Sequence, residues 1–167
     1  PRVTRARAGR RPRSPTRAAA ARVEGPADAA AKSLAAARAK VDAVSETLGR
    51  RLKFLVGKPG LDGHSNGAEQ IAVKGRDAGF EIVYEGIRLT PARIARAAQE
   101  EGVHLIGLSV LSGSHMELVE DICHELKKID ADDIPLVIGG IIPEEDARRL
   151  RDKGVKAVFT PKDMDMN

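Results

Sequence analysis

The sequence predicts an α/β domain, a doubly wound, five-stranded parallel sheet with helices on both faces. Two observations lead to this prediction. Short apolar runs alternate regularly with amphipathic helical patterns, and the runs are nearly continuous in aliphatic residues, as buried parallel strands are. The predicted strands are 52–57, 80–85, 103–110, 134–140 and 155–160, and the helices between them are 66–78, 91–101, 114–129 and 143–153.

Proline and glycine mark the ends of these helices. Pro91 and Pro143 stand at helix starts, the first behind Thr90, and proline favours the first helical position because no N–H is needed there. Three helices close near a glycine, the residue that most readily adopts the left-handed cap. These glycines are Gly79, Gly102 and Gly154.

The segment before the sheet divides into two parts. Residues 1–31 are rich in Arg, Ala and Pro with almost no large apolar side chain, which predicts a disordered tail or linker. Within residues 32–50, the side chains Leu34, Val41, Val44 and Leu48 share one face of a helix, so a lead-in helix is predicted there. The domain proper is predicted over residues 51–167.

Charge is concentrated at the amino end. Residues 1–50 hold 12 Lys and Arg against 4 Asp and Glu, while the whole chain has 28 against 24. The remaining residues are therefore net acidic, so the basic pI comes from the tail. A transit peptide or a nucleic-acid-binding arm would share this composition, but a linker is the favoured interpretation.

Composition also restricts the class of protein. The chain has no Trp, one Tyr and three Phe, which argues against nucleobase stacking and hence against a nucleic-acid partner. A single cysteine permits no internal disulfide and indicates a reducing, cytoplasmic location. No apolar run reaches the length of a membrane span, so we expect a soluble protein without a membrane partner.

Three unusual segments follow predicted strands. The first strand ends in "KPGLDGHSNG" (58–67), the third in "SVLSGSH" (109–115) and the fourth in "GGIIP" (139–143). In the flavodoxin-like strand order, ligands bind at the carboxyl ends where the order reverses, between the first and third strands. We expect the three segments to meet at that edge.

Several common ligands fit these segments poorly. The glycines do not follow G-x-G-x-x-G, so a dinucleotide site is not indicated. A receiver domain would need an acidic pair after the first strand and an Asp after the third, where this chain has Gly57-Lys58 and Ser109. A flavin phosphate could occupy the turn, but a simple anion cradle needs neither His64 nor Asp62.

The pair Asp62 and His64 suggests a metal ligand. A histidine can bind metal through one ring nitrogen while the other donates to a carboxylate, which fixes the tautomer. Lys58 could balance the charge of Asp62. No second protein ligand is adjacent, so the metal would have to bring most of its own ligands, as the cobalt of a corrinoid does.

These motifs resemble a known family. Asp62-Gly-His64-Ser-Asn-Gly67, Ser109-Val-Leu111 and Gly139-Gly140 resemble the D-x-H-x-x-G, S-x-L and G-G signature of the cobalamin-binding domains of acyl-CoA mutases, over about residues 51–167. "KPGLDGHSNGAEQIA", "YEGIRLTP", "GLSVLSGSH" and "TPKDMDMN" are more similar to the carboxy-terminal domain of the ethylmalonyl-CoA mutase family, siblings of the methylmalonyl-CoA mutases.

The resemblance implies a role for each matching residue. His64 would be the lower axial ligand of cobalt, with Asp62 bound to its other nitrogen and Lys58 paired with Asp62. The displaced nucleotide tail of the cofactor would run into a slot lined by Ser109 and Leu111 and left open by the two glycines. The complete set of predicted cofactor-binding residues is Lys58, Asp62, Gly63, His64, Gly67, Ser109, Leu111, Ser112, Gly113, His115, Gly139, Gly140 and Thr160.

The resemblance also implies an activity that needs a partner. The cofactor would be adenosylcobalamin, and the acyl-CoA would bind a (β/α)₈-barrel domain or subunit that this sequence does not encode, in an oligomeric isomerase. No catalytic residue is predicted in this chain alone. Three alternatives remain: the cobalamin subunit of a methylmalonyl-CoA mutase, a corrinoid methyl carrier, and a flavodoxin-like sensor or interaction domain without a corrinoid.

Overall fold

A computed structural model describes residues 26–61, 63–110, 113–160 and 163. The alternation predicted from the sequence is confirmed, with one helix before the first strand. The elements are α1 (Pro26–Leu48), β1 (Lys53–Pro59), α2 (Asn66–Asp77), β2 (Glu81–Leu89), α3 (Pro91–Glu101), β3 (Leu105–Val110), α4 (His115–Lys128), β4 (Leu136–Gly140), α5 (Glu144–Asp152) and β5 (Ala157–Phe159).

The five strands form one parallel sheet in the order β2-β1-β3-β4-β5. The order reverses between β1 and β3, which pair from Phe54 with Leu105 to Gly57 with Leu108. The fold class and the flavodoxin-like order are thus confirmed, and the switch point lies where the sequence predicted a ligand.

Helices pack on both faces of the sheet. On one face α3, α4 and α5 cover the larger core, in which Leu55, Ile106, Ile138 and Ile94 are at most 1% exposed. On the other face α2 covers a smaller cluster that contains Phe54. Aliphatic side chains dominate both clusters.

The cap signals in the sequence act as expected at α3. The Thr90 side chain accepts a hydrogen bond from the backbone N–H of Arg93 at 3.2 Å, with Pro91 following the cap. Gly102 closes the helix with a φ of 60°, where a side chain would be strained.

Two elements differ most in extent from the prediction, and the bounds of the others shift by at most two residues. Helix α1 begins at Pro26 instead of residue 32, because the alanine-rich stretch before Leu34 is a strong helix former. Residues 1–25, the remainder of the predicted tail, lie outside the described part. Strand β2 continues to Leu89 across irregular pairing with β1, since Gly86 and Arg88 adopt positive φ values of 92° and 58°.

None of the described helices is long and apolar enough to cross a membrane.

Candidate functional site

Lys58 lies next to last in β1, at the carboxyl edge of the sheet. Its side chain is only 1% exposed, and its ammonium nitrogen is buried. A buried ammonium is costly unless a negative charge compensates it. The predicted counter-charge, Asp62, lies outside the described residues, so their pairing stays a prediction.

The loop that follows β1 is fixed near its start by a backbone hydrogen bond and is exposed to solvent further along. Gly60 has a φ of 84°, and its N–H donates to the Leu89 carbonyl at 3.1 Å. Gly63 and His64 are exposed, and Leu61 is 93% exposed. The His64 imidazole therefore stands on a surface loop beside the switch point, accessible to a ligand as large as a ring system.

The first and second motif segments meet where α2 begins. Gly67 is the second residue of α2, and a Cβ added to it would lie 3.1 Å from the Ser109 hydroxyl oxygen. Ser109, near the end of β3, is 4% exposed. Gly67 thus keeps the helix close to a buried hydroxyl on the neighbouring strand, and the predicted convergence of these segments is observed.

The two glycines that end β4 lie beside the same segment of β3. Ser109 pairs with Gly139 and Val110 with Gly140. Among the described residues, a Cβ added to Gly139 would meet only the Phe159 Cβ, at an ordinary 3.8 Å, whereas one on Gly140 would lie 1.6 Å from the Val110 carbonyl oxygen. Gly139 thus leaves open space, whereas Gly140 is required by the backbone of β3 itself, a reason that the sequence did not reveal.

The other predicted site residues take more varied positions. Gly113 is exposed in the turn before α4, and Leu111 and Ser112 lie outside the described residues. Thr160 is 4% exposed; its N–H and hydroxyl donate to the Asp163 carboxylate at 2.6 and 3.0 Å. Thr160 is therefore engaged in a turn directly after β5.

His115 begins α4 and points into the protein. Its ring Nε2 lies 2.8 Å from the Asp146 carboxylate in the first turn of α5, and the His115 side chain is 5% exposed. The sequence analysis placed His115 among the predicted cofactor-binding residues, and one observed partner of its ring is a carboxylate on the neighbouring helix. Asp146 was not singled out, because three successive acidic residues at a helix start are typical of exposed charges.

The histidine at the opposite end of the sheet has a structural role. His104 precedes β3, and its Nδ1 accepts a hydrogen bond from the Lys53 N–H at 3.0 Å. Burial, with a contribution from Arg50 and Lys53, lowers the pKa of His104, which favours the neutral ring that this bond requires.

Among the described residues, no group of three His, Cys, Asp or Glu side chains could hold a metal ion. The carboxyl edge nevertheless combines an exposed imidazole, a buried ammonium, a buried hydroxyl and an open glycine. These groups suit a ligand that contains a metal with most of its ligands already bound and that inserts a narrow extended chain into the protein.

Comparison with known proteins agrees with this geometry. The family described as "B12 binding domain" matches residues 52–163. The chain is 61% identical over 130 residues to ethylmalonyl-CoA mutase of Cereibacter sphaeroides, covering 78% of this chain and 20% of that protein. It is 44% identical over 124 residues to the methylmalonyl-CoA mutase large subunit of Streptomyces virginiae, covering 74% of this chain and 17% of that protein.

A solved structure shares the fold. A novel cobalamin-binding protein from Desulfitobacterium hafniense DCB-2 superimposes with a TM-score of 0.60 at 21% identity, covering 80% of this chain and 64% of the other. The chain belongs to the B12-binding domain family, and cobalamin is its cofactor class. Its sequence closely matches ethylmalonyl-CoA and methylmalonyl-CoA mutases, and it spans about a fifth of the length of these curated relatives.

Proposed function

We propose that the chain binds adenosylcobalamin with the cobalt ligated by His64 and the nucleotide tail displaced into the protein, as part of a radical acyl-CoA mutase. The observation that carries the proposal is the position of the exposed His64 imidazole. It stands on the loop that runs from buried Lys58 to Gly67, where α2 approaches the buried Ser109 hydroxyl. When bound, adenosylcobalamin supplies the radical chemistry of a carbon-skeleton rearrangement.

The chain's own residues hold and orient the cofactor in this proposal. Asp62 accepts a hydrogen bond from the second ring nitrogen of His64, which keeps the ligating nitrogen deprotonated. The positive charge of the Lys58 ammonium balances the negative charge of the Asp62 carboxylate. Ser109 and the open face of Gly139 border the slot for the nucleotide, and the cofactor-binding roles of Leu111, Ser112 and Gly113 rest on the sequence resemblance.

The turnover step belongs to a partner. A (β/α)₈-barrel domain or subunit holds the acyl-CoA and encloses the upper face of the corrin. The ethylmalonyl-CoA to methylsuccinyl-CoA rearrangement is favoured over the methylmalonyl-CoA reaction, because the identity is 61% to the ethylmalonyl-CoA mutase and 44% to the methylmalonyl-CoA mutase subunit.

The proposal is tested by titrating the purified chain with adenosylcobalamin and recording its visible spectrum. We expect the base-off spectrum with histidine coordination, and the loss of that coordination in His64→Ala. His124→Ala is the matched control, since His124 is an exposed histidine on α4, and it should behave like the wild type. If His64→Ala also retains histidine coordination, the assignment of the axial ligand is wrong.

A further inference from the structure

Arg88 occupies an unusual position near the end of β2. Its φ of 58° lies in the left-handed region, which a residue with a side chain adopts only at a cost in free energy. The next residue, Leu89, is fixed by two backbone interactions with the end of β1. It pairs with Pro59, and its carbonyl accepts a hydrogen bond from the N–H of Gly60. The strain therefore lies at the base of the histidine loop.

The side chain of Arg88 reaches over that loop. A Cβ added to Gly63 would lie 3.1 Å from an Nη atom of Arg88 and 3.8 Å from its Nε. The guanidinium thus fills the space that a side chain at position 63 would need. This proximity places the positive charge of Arg88 beside Gly63, the residue that precedes His64.

The guanidinium of Arg88 has N–H donors that are not engaged in an ion pair with a described carboxylate. Arg88 is exposed, and within the described part of the chain no carboxylate forms an ion pair with it. By contrast, Arg93, at the start of the next helix, pairs with Glu85 at 3.0 Å. A guanidinium carries five N–H donors in a fixed plane, and the exposed side chain of Arg88 leaves such donors accessible to a ligand beside the loop.

We propose that Arg88 is a further cofactor-binding residue, whose guanidinium donates to the carboxamide side chains at the rim of the corrin ring. The inference rests on the proposed function, because a ring bound through His64 would lie over the loop that Arg88 touches. Amide carbonyls are good acceptors for a guanidinium, and the guanidinium of Arg88 lies beside Gly63, next to His64 in the chain. Arg88 thereby also fixes the orientation of the loop.

The decisive variant is Arg88→Gly. Glycine accepts a positive φ without strain, so the melting temperature should stay equal to the wild-type value or rise. If Arg88 binds the corrin, the dissociation constant for adenosylcobalamin should nevertheless increase about tenfold, the worth of one charge-assisted hydrogen bond. Affinity would then fall without a loss of stability, whereas a role of Arg88 in the stability of the fold alone would lower the melting temperature and leave the affinity unchanged.

Two further measurements sharpen the test. The affinity for adenosylcobinamide, which lacks the nucleotide tail, should fall by the same factor from wild type to Arg88→Gly, since Arg88 is assigned to the corrin rim. At saturating cofactor, the spectrum of Arg88→Gly should still show histidine coordination. Arg96→Gly is unsuitable as a control because α3 would lose helix propensity, so Arg96→Gln, exposed on α3, serves instead and should bind like the wild type.

The outcomes separate the two proposals. Unchanged affinity of Arg88→Gly for both corrinoids would overturn the role of Arg88 while leaving the cofactor site intact. A loss confined to adenosylcobalamin would also overturn it, because the contact would then be with the nucleotide. A wild-type chain that binds neither corrinoid would contradict the proposed function itself.

Discussion

The Nε2 of His115 lies 2.8 Å from a carboxylate oxygen of Asp146, and this contact ties the first turn of α4 to the first turn of α5. Both helices begin at the carboxyl edge of the sheet, directly after the β3 and β4 segments that carry the site motifs. The pair therefore holds together the two loops that support one side of the proposed site.

Replacing Asp146 by alanine should destabilise the fold. The His115 side chain is 5% exposed, so the loss of its carboxylate partner should cost about 1–3 kcal/mol in the free energy of unfolding. Urea denaturation measures this difference. Glu145→Ala is the matched control, because Glu145 forms an exposed ion pair with Arg149 at 2.8 Å, and it should change stability by less than about 1 kcal/mol. Equal effects of the two substitutions would contradict a stabilising role for the buried pair.

Gly140→Ala should be among the most damaging single substitutions at the site. The new Cβ would lie 1.6 Å from the Val110 carbonyl oxygen, so β3 and β4 would have to separate, at a cost of about 3 kcal/mol or more. Gly113→Ala provides the comparison, since a Cβ there would meet no atom of the described residues within 4 Å. Thermal unfolding of both variants tests the prediction, and a Gly140→Ala protein as stable as Gly113→Ala would refute it.

Gly139→Ala should separate ligand binding from folding. Its Cβ would make an ordinary 3.8 Å contact with Phe159, so stability should change by less than about 0.5 kcal/mol. Under the proposed function the methyl group narrows the nucleotide slot. We therefore expect an increase of about tenfold in the dissociation constant for adenosylcobalamin and no change for adenosylcobinamide. A loss of affinity for both, or for neither, would remove Gly139 from the slot.

His104 should make the stability of the domain depend on pH. Its pKa in the folded protein lies below the ordinary histidine value of 6.5, so the unfolded chain binds more protons in the interval between the two values. The stabilisation is present above pH 6.5 and is lost as pH falls through the lowered folded pKa. Urea denaturation at several pH values should show that the stability difference between wild type and His104→Leu is largest at pH 8 and shrinks toward pH 5. A difference that stays constant with pH would exclude this role.

The order of helices and strands was predictable because each element carries a local signal. Apolar periodicity located the strands, and Thr90, Pro91 and Gly102 marked the ends of α3 as the structure has them. The extension of β2 to Leu89 was missed, since it depends on positive φ values at Gly86 and Arg88. A left-handed arginine has no signature in sequence, because only its fixed neighbours in space compel it.

The sequence by itself determined the fold class and the switch point, since these follow from periodicity and from the rule that parallel strands end at one edge, and its resemblance to cobalamin-binding domains proposed His64, Gly67, Ser109 and Gly139 as site residues. Only the tertiary structure decided that Asp146 is the partner of His115, that Arg88 lies against Gly63 and that Gly140 is demanded by Val110. These are contacts between residues distant in the chain. Their existence depends on the packing of helices and strands to within an ångström, which local patterns do not encode.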